Sequence, residues 1–145
     1  MSRPAMARVP DERTLTELDH VRLLRLLGRD PHADAPTAAH DSLEEVLDAS
    51  TLQPARAVEP DLVTMGSRLE LQDLATAQRS ELTLSYPADA DPANGRISVL
   101  SPVGCAVLGL RVGGTARWRT PSGETRAAAV VAVHFQPEAS GQLEL

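Results

Sequence analysis

Apolar residues recur at helical spacing early in the chain, at Leu15, Leu18, Val21, Leu24 and Leu27, then alternate with polar residues over the back half. The first set predicts an amphipathic helix with one apolar side. Thr14 followed by Glu17 forms a capping box for its start, and Asp11 is a second candidate cap, so the sequence leaves this boundary open. Gly28, Pro31 and Pro36 interrupt the pattern. A second helix follows, with Ser42 and Glu45 as a capping box and Leu43, Val46, Leu47 and Ser50 on one face. So short a connection predicts antiparallel packing, each helix covering the other's leucines. The expected divisions are a flexible leader over 1–10, a helical hairpin over 11–53, a connector over 54–61 and a β-rich domain over 62–145.

In that last region Leu69 and Leu71 flank Glu70, Leu82 and Leu84 flank Thr83, and Ile97 and Val99 flank Ser98. Alternation of this kind marks strands with one buried face. Residues 73–79 read as a turn, 87–95 as a longer polar connection, and Asn94-Gly95 as a tight turn before the next strand. Pro102 through Thr115 reads as a short buried helix closed by the Gly113-Gly114 turn, because proline at a helix head gives up no needed amide. Ala116, Trp118 and Thr120 then alternate with Arg117 and Arg119, and Ala127–Phe135 forms a final strand whose small apolar residues suit a central position. The order of elements predicts an α+β fold with a mostly antiparallel sheet.

Composition narrows the chemistry. The chain has 145 residues and a formal charge of −6, concentrated in residues 1–61 at −5 against −1 for the remainder. An acidic front disfavours general binding to nucleic-acid backbones and suits a protein partner with a basic patch. All fourteen basic residues are arginine, which excludes lysine Schiff-base and phosphate-loop chemistry. Phe, Trp and Tyr occur once each, leaving little for an aromatic-lined pocket. No apolar run approaches the roughly 18 residues of a membrane span, and the leader lacks a secretory core, so a cytoplasmic, membrane-free location is expected.

The candidate reactive groups are dispersed. His20, His32, His40 and His134 form no metal-ligand spacing, and Cys105 sits in an apolar segment without an activating base. The glycines of 104–114 match neither dinucleotide nor phosphate-loop spacing. Neither a metal nor another cofactor is predicted, nor an enzymatic activity. Asp30 and Asp34, at the hairpin end, suit partner contact, a share in a divalent-ion site, or simple solvation. Arg117 and Arg119 share a strand face opposite Trp118, and with Arg111 they offer a positive patch for a protein or a phosphate, or an ordinary solvent face.

The segments Asp61–Leu69, Leu84-Ser85-Tyr86-Pro87, Ile97–Gly113 and Phe135-Gln136-Pro137-Glu138 together resemble the regulator of nucleoside diphosphate kinase family. That family is similar to the Gre transcript-cleavage factors. The resemblance implies a C-terminal domain of FKBP-like fold that docks on RNA polymerase and an N-terminal antiparallel coiled coil directed into the secondary channel. It places Asp30 and Asp34 where the cleavage factors carry an acidic tip, although Gly28–Asp34 does not reproduce that tip. Helices of roughly 13 residues reach only about 20 Å, short of a catalytic metal deep in the channel. The resemblance therefore implies occlusion of the channel entrance and competition with Gre-type factors, without strong cleavage and without sequence-specific nucleic-acid binding. An effect on nucleoside diphosphate kinase would be indirect. The alternatives are a cytoplasmic protein-binding adaptor and, more remotely, a peptidyl-prolyl isomerase. Helix faces that cover each other within one chain predict a monomer.

Overall fold

The computed structural model of the chain describes residues 13–29 and 38–141. Its elements run β1 (Thr14–Thr16), α1 (Glu17–Arg29), α2 (Ala38–Ala49), β2 (Thr51–Gln53), β3 (Arg68–Asp73), β4 (Arg79–Ser85), β5 (Arg96–Ser98), α3 (Pro102–Val107), β6 (Thr115–Arg119) and β7 (Thr125–Phe135). This is the expected α+β class, with both helices ahead of the main sheet, and the short β1 and β2 strands on either side of the helices are additions to the sequence reading.

The start of α1 differs from the sequence reading. Thr14 lies in β1, and Thr16 is the capping residue: its Oγ1 accepts the Asp19 amide at 2.9 Å. The buried side of α1 also differs. Val21 and Leu24 are 43% and 46% exposed, whereas Asp19 and Leu23 are buried and Leu26 and Leu27 are half-buried. Repeated steps of three residues drift about 60° around a helix each time, so the expected line walks off the core. Steps of four and three, from Asp19 to Leu23 to Leu26 and Leu27, remain on one side. In α2 the expected face is correct: Leu43 and Leu47 are buried and Val46 half-buried.

Two short parallel strands tie the beginning of α1 to the end of α2, in the register Thr14↔Thr51, Leu15↔Leu52 and Thr16↔Gln53. This pair is fastened to the rest by backbone bonds. The Thr14 amide donates to the Gly109 carbonyl at 3.0 Å, and the Gly109 amide donates to Val63 at 2.9 Å. Gly109 has φ +81°, and a Cβ there would lie 3.1 Å from both Arg13 Cβ and the Thr14 carbonyl, so glycine serves both the turn and the close approach. Leu15, Leu23, Leu43 and Leu47 consequently share one core with Val63, Leu69, Leu84, Val107, Leu108 and Val130.

The main sheet has the order β5-β4-β3-β7-β6. β3 pairs antiparallel with β4 and β7, and β6 antiparallel with β7, while β5 lies parallel to β4. β7 is the interior strand its small apolar residues suggested. Register shifts between Arg68 and Leu69 and between Glu70 and Leu71 bend the β3–β7 pair and help the sheet curl. The concave side receives α3. Ser101 caps this helix by accepting the Gly104 amide at 3.0 Å and anchors it by donating to the Ser98 carbonyl at 2.7 Å. A Cβ on Gly104 would lie 2.0 Å from that same carbonyl, so only glycine lets α3 press onto the end of β5.

Candidate functional site

Trp118 and Ser101 border two concavities on the sheet side of the molecule. The larger, about 710 Å³, lies inside the curl of the sheet and is walled by Leu71, Leu82, Ile97, Val103, Trp118 and Ala128. Alternation along the strands aims Leu71, Leu82, Ile97, Trp118 and Ala128 to one side of the pleat, and α3 adds Val103. At its rim Arg126 donates to Asp73, and that contact, with the Thr76 and Ala75 amides, holds the Asp73 carboxyl down at about 2.

The second concavity, about 500 Å³, lies where α2, α3 and β6 meet. Arg13, Ser42, Glu45, Pro102, Arg117, Trp118 and Arg119 line it. Arg117 and Arg119 are exposed and alternate with half-buried Trp118, so the strand supplies both charge and an apolar wall. Cys105 lies at its base with 7% exposure. Burial pushes the thiol above its ordinary value; Arg13 opposes that shift and Glu45 adds to it, so the thiol stays protonated and unreactive at neutral pH. The surface combines an apolar wall at Trp118 with a charged border.

Arg111 belongs elsewhere. It bridges Leu62 through the backbone and pairs with Glu59 at 2.9 Å and Asp61 at 3.3 Å, beside the connector into β3. The structure thus brings Arg117 and Arg119 together with Trp118 and separates Arg111 from them. Asp30 and Asp34 lie outside the described residues.

A third cavity, about 250 Å³, sits at the base of α1 and is lined by Asp19, Met65, Gly66, Tyr86, Asp89 and Glu138 among others. Asp19 is only 4% exposed, and its Oδ2 accepts the Met65 amide at 3.1 Å. Burial raises its carboxyl to about 7, against the lowering effect of that amide, with Glu138 adding to the rise. Tyr86 is likewise pushed up to about 12 by burial, with Asp19 contributing. Glu138 accepts the Thr64 hydroxyl at 2.7 Å, and Gln136 donates to the Glu59 and Leu62 carbonyls at 2.8 Å, so the segment after β7 is fixed to the connector. Sequence reasoning missed Asp19; the spacing Thr16-x-x-Asp19 was the available signal.

On the face of the sheet away from the core, His134 Nε2 lies 3.0 Å from Glu70 and 3.5 Å from Glu81. The His134 contact lowers the Glu70 carboxyl below its usual range. Among the described residues, no group of three or more His, Cys, Asp or Glu side chains is placed to hold a metal ion, and no helix is long and apolar enough to cross a membrane.

The curled sheet and its short helix fall within residues 58–135, which match the transcription elongation factor GreA/GreB C-terminal family, and this chain belongs to that family. The solved transcription elongation factor GreA/GreB from Nitrosomonas europaea is similar at 31% identity and a TM-score of 0.69, covering 86% of this chain and 98% of that one. The likeness to the regulator of nucleoside diphosphate kinase of Escherichia coli K12 extends over the whole length: 36% identity over 141 residues, 97% of each chain. By contrast, similarity to the elongation factor GreA of Chloroherpeton thalassium, 35% over 85 residues, spans 59% of this chain and 54% of that factor.

Proposed function

We propose that the chain is a non-catalytic regulator that binds RNA polymerase, occupies the entrance of the secondary channel and competes there with Gre-type factors. The supporting likenesses are of two kinds: a C-terminal domain of the GreA/GreB family and full-length similarity to a regulator of nucleoside diphosphate kinase. An effect on that kinase is indirect in this reading, passing through transcription in the cytoplasm.

The observation that carries the reading is the length and seating of the helices. α1 has 13 residues and α2 has 12, so neither exceeds about 20 Å. Leu23, Leu43 and Leu47 are consumed by the common core, which shortens the free reach further. The helices suit obstruction of an opening rather than delivery of carboxylates to a distant metal. Residues 62–145 act as the docking domain and 11–53 as the obstructing hairpin. The curl of five strands around α3 favours the FKBP-like description, and the apolar groove beside Trp118 serves it as a docking surface rather than an isomerase site. Arg117 and Arg119 supply a charged border to the neighbouring concavity, which shares Trp118 with that groove.

The test is capture on core RNA polymerase of the intact chain and of a double variant, Arg117→Glu with Arg119→Glu. Binding by the intact chain that is displaced by a Gre-type factor is the expected result. No polymerase binding, with a different stable complex recovered, assigns the chain to the adaptor class instead. Unchanged binding after charge reversal removes the two arginines from the surface.

A further inference from the structure

We propose that Asp19, at the base of α1, is a proton-controlled latch: its neutral carboxyl seats the helical pair on the sheet, and loss of its proton to solvent loosens that joint. Three independent parts of the chain meet at this carboxyl. The amide of Met65 donates to it from the segment just before β3, 46 positions away in sequence. Tyr86 and Asp89 line the same cavity from the segment after β4, and Glu138 from the segment after β7. On its own helix, Arg22 lies one turn further along and favours the charged form.

The geometry makes ionisation costly. Asp19 is almost fully removed from water, and a second carboxylate, Glu138, lines its cavity. Burial raises its carboxyl first, Glu138 raises it further, and the Met65 and Thr16 hydrogen bonds with Arg22 only partly offset them, leaving it at about 7. Thr16, Asp19 and Met65 are also where the helix cap meets the segment before β3, so a change here acts on the attachment of α1 rather than on an exposed loop. Opening the joint hydrates the carboxyl and returns it to its ordinary value of 3.8.

The sign follows from linkage. The closed joint binds the proton more tightly than the open one, so the stabilisation is complete below the ordinary carboxylate value and is lost as pH rises through about 7. Across the window between those values, opening becomes up to about tenfold more favourable per pH unit, and above it the dependence flattens. Mild acidification therefore tightens the joint. The latch is a property of the chain alone and stands or falls independently of polymerase binding.

The test uses the full chain without a partner. The Asp19 side-chain carboxyl is titrated by carbon NMR, and the protection of the Met65 amide against hydrogen exchange is followed from about pH 5 to about pH 8. The expected results are a carboxyl midpoint near 7 and a Met65 protection factor that falls by up to about tenfold per unit before levelling. Asp19→Asn keeps the acceptor for the Met65 amide and is expected to abolish that slope. Glu138→Gln is expected to lower the Asp19 midpoint. A carboxyl that titrates in the ordinary range, or a Met65 slope that persists in Asp19→Asn, overturns the proposal. Should Asp19→Asn fail to fold, the titration of the unaltered chain decides.

Discussion

The Arg13 guanidinium donates to the Leu108 carbonyl at 2.8 Å and to the Cys105 carbonyl at 2.9 Å, so a residue just ahead of β1 closes the far end of α3. Those carbonyls have no intrahelical donors and would otherwise face an apolar core. One cation thereby satisfies α3 and fixes the strand that leads into the helices. Replacement by alanine removes charge-assisted bonds at a half-buried site. Arg13→Ala is expected to lower stability by about 2 kcal/mol, measured by urea denaturation, with Arg13→Lys recovering only part of it. A loss indistinguishable from zero would show that water replaces the guanidinium at no cost.

Asp73 and Arg126 make a second cross-strand contact, at the rim of the groove inside the sheet. The Asp73 carboxyl is held at about 2 by Arg126 first and by two turn amides after it. A depressed carboxyl contributes stability above its unfolded value and loses it as pH falls through the folded one, so the window lies between about 4 and about 2. The pair is exposed, and solvent screening keeps its contribution small. Arg126→Ala is expected to return the Asp73 carboxyl midpoint toward 3.8, read by NMR. A midpoint unmoved by that change would assign the shift to the Ala75 and Thr76 amides alone.

These contacts mark where the sequence was and was not readable. α3 was legible because Pro102 suits a helix head and the apolar run after it suits burial, and β7 because its long run of alanines and valines suits an interior strand. The face of α1 was not, because a leucine every three residues imitates an apolar stripe while the core accepts Asp19 and Leu23. The parallel β1–β2 pair was hidden by its three-residue strands, too short to show a period, and the parallel placement of β5 depends on the irregular turns of 86–95. Trp118 and its two arginines could be ordered along a strand from sequence alone. Their meeting with Ser42 and Glu45 of α2 is a tertiary fact that no local pattern carries.

Trp118 forms a wall of both concavities and is the large aromatic on that surface. If docking uses this surface, truncation of an aromatic anchor costs about 2 kcal/mol of binding, roughly thirtyfold in Kd. Trp118→Ala is expected to weaken polymerase binding by that factor, while Trp118→Phe keeps most of it. Titration calorimetry or fluorescence anisotropy supplies the Kd, and circular dichroism establishes that both variants are folded. Equal Kd values for the unaltered chain and Trp118→Ala would place docking on another face.

Asp30 and Asp34 separate obstruction from cleavage. Helices of 13 and 12 residues are each no longer than about 20 Å. In the obstructing role the negative charge of the two aspartates acts on a positively charged partner surface through long-range attraction, which salt of about 0.15 M confines to roughly 8 Å. The double variant Asp30→Asn with Asp34→Asn is therefore expected to compete with Gre-type factors about two- to fivefold less well at low salt and almost equally at physiological salt. Transcript cleavage by stalled polymerase is expected to stay at its factor-free rate with either protein. Cleavage stimulated by the unaltered chain and lost in the double variant would mean that the carboxylates reach the metal, and the short-helix argument for obstruction would then fail.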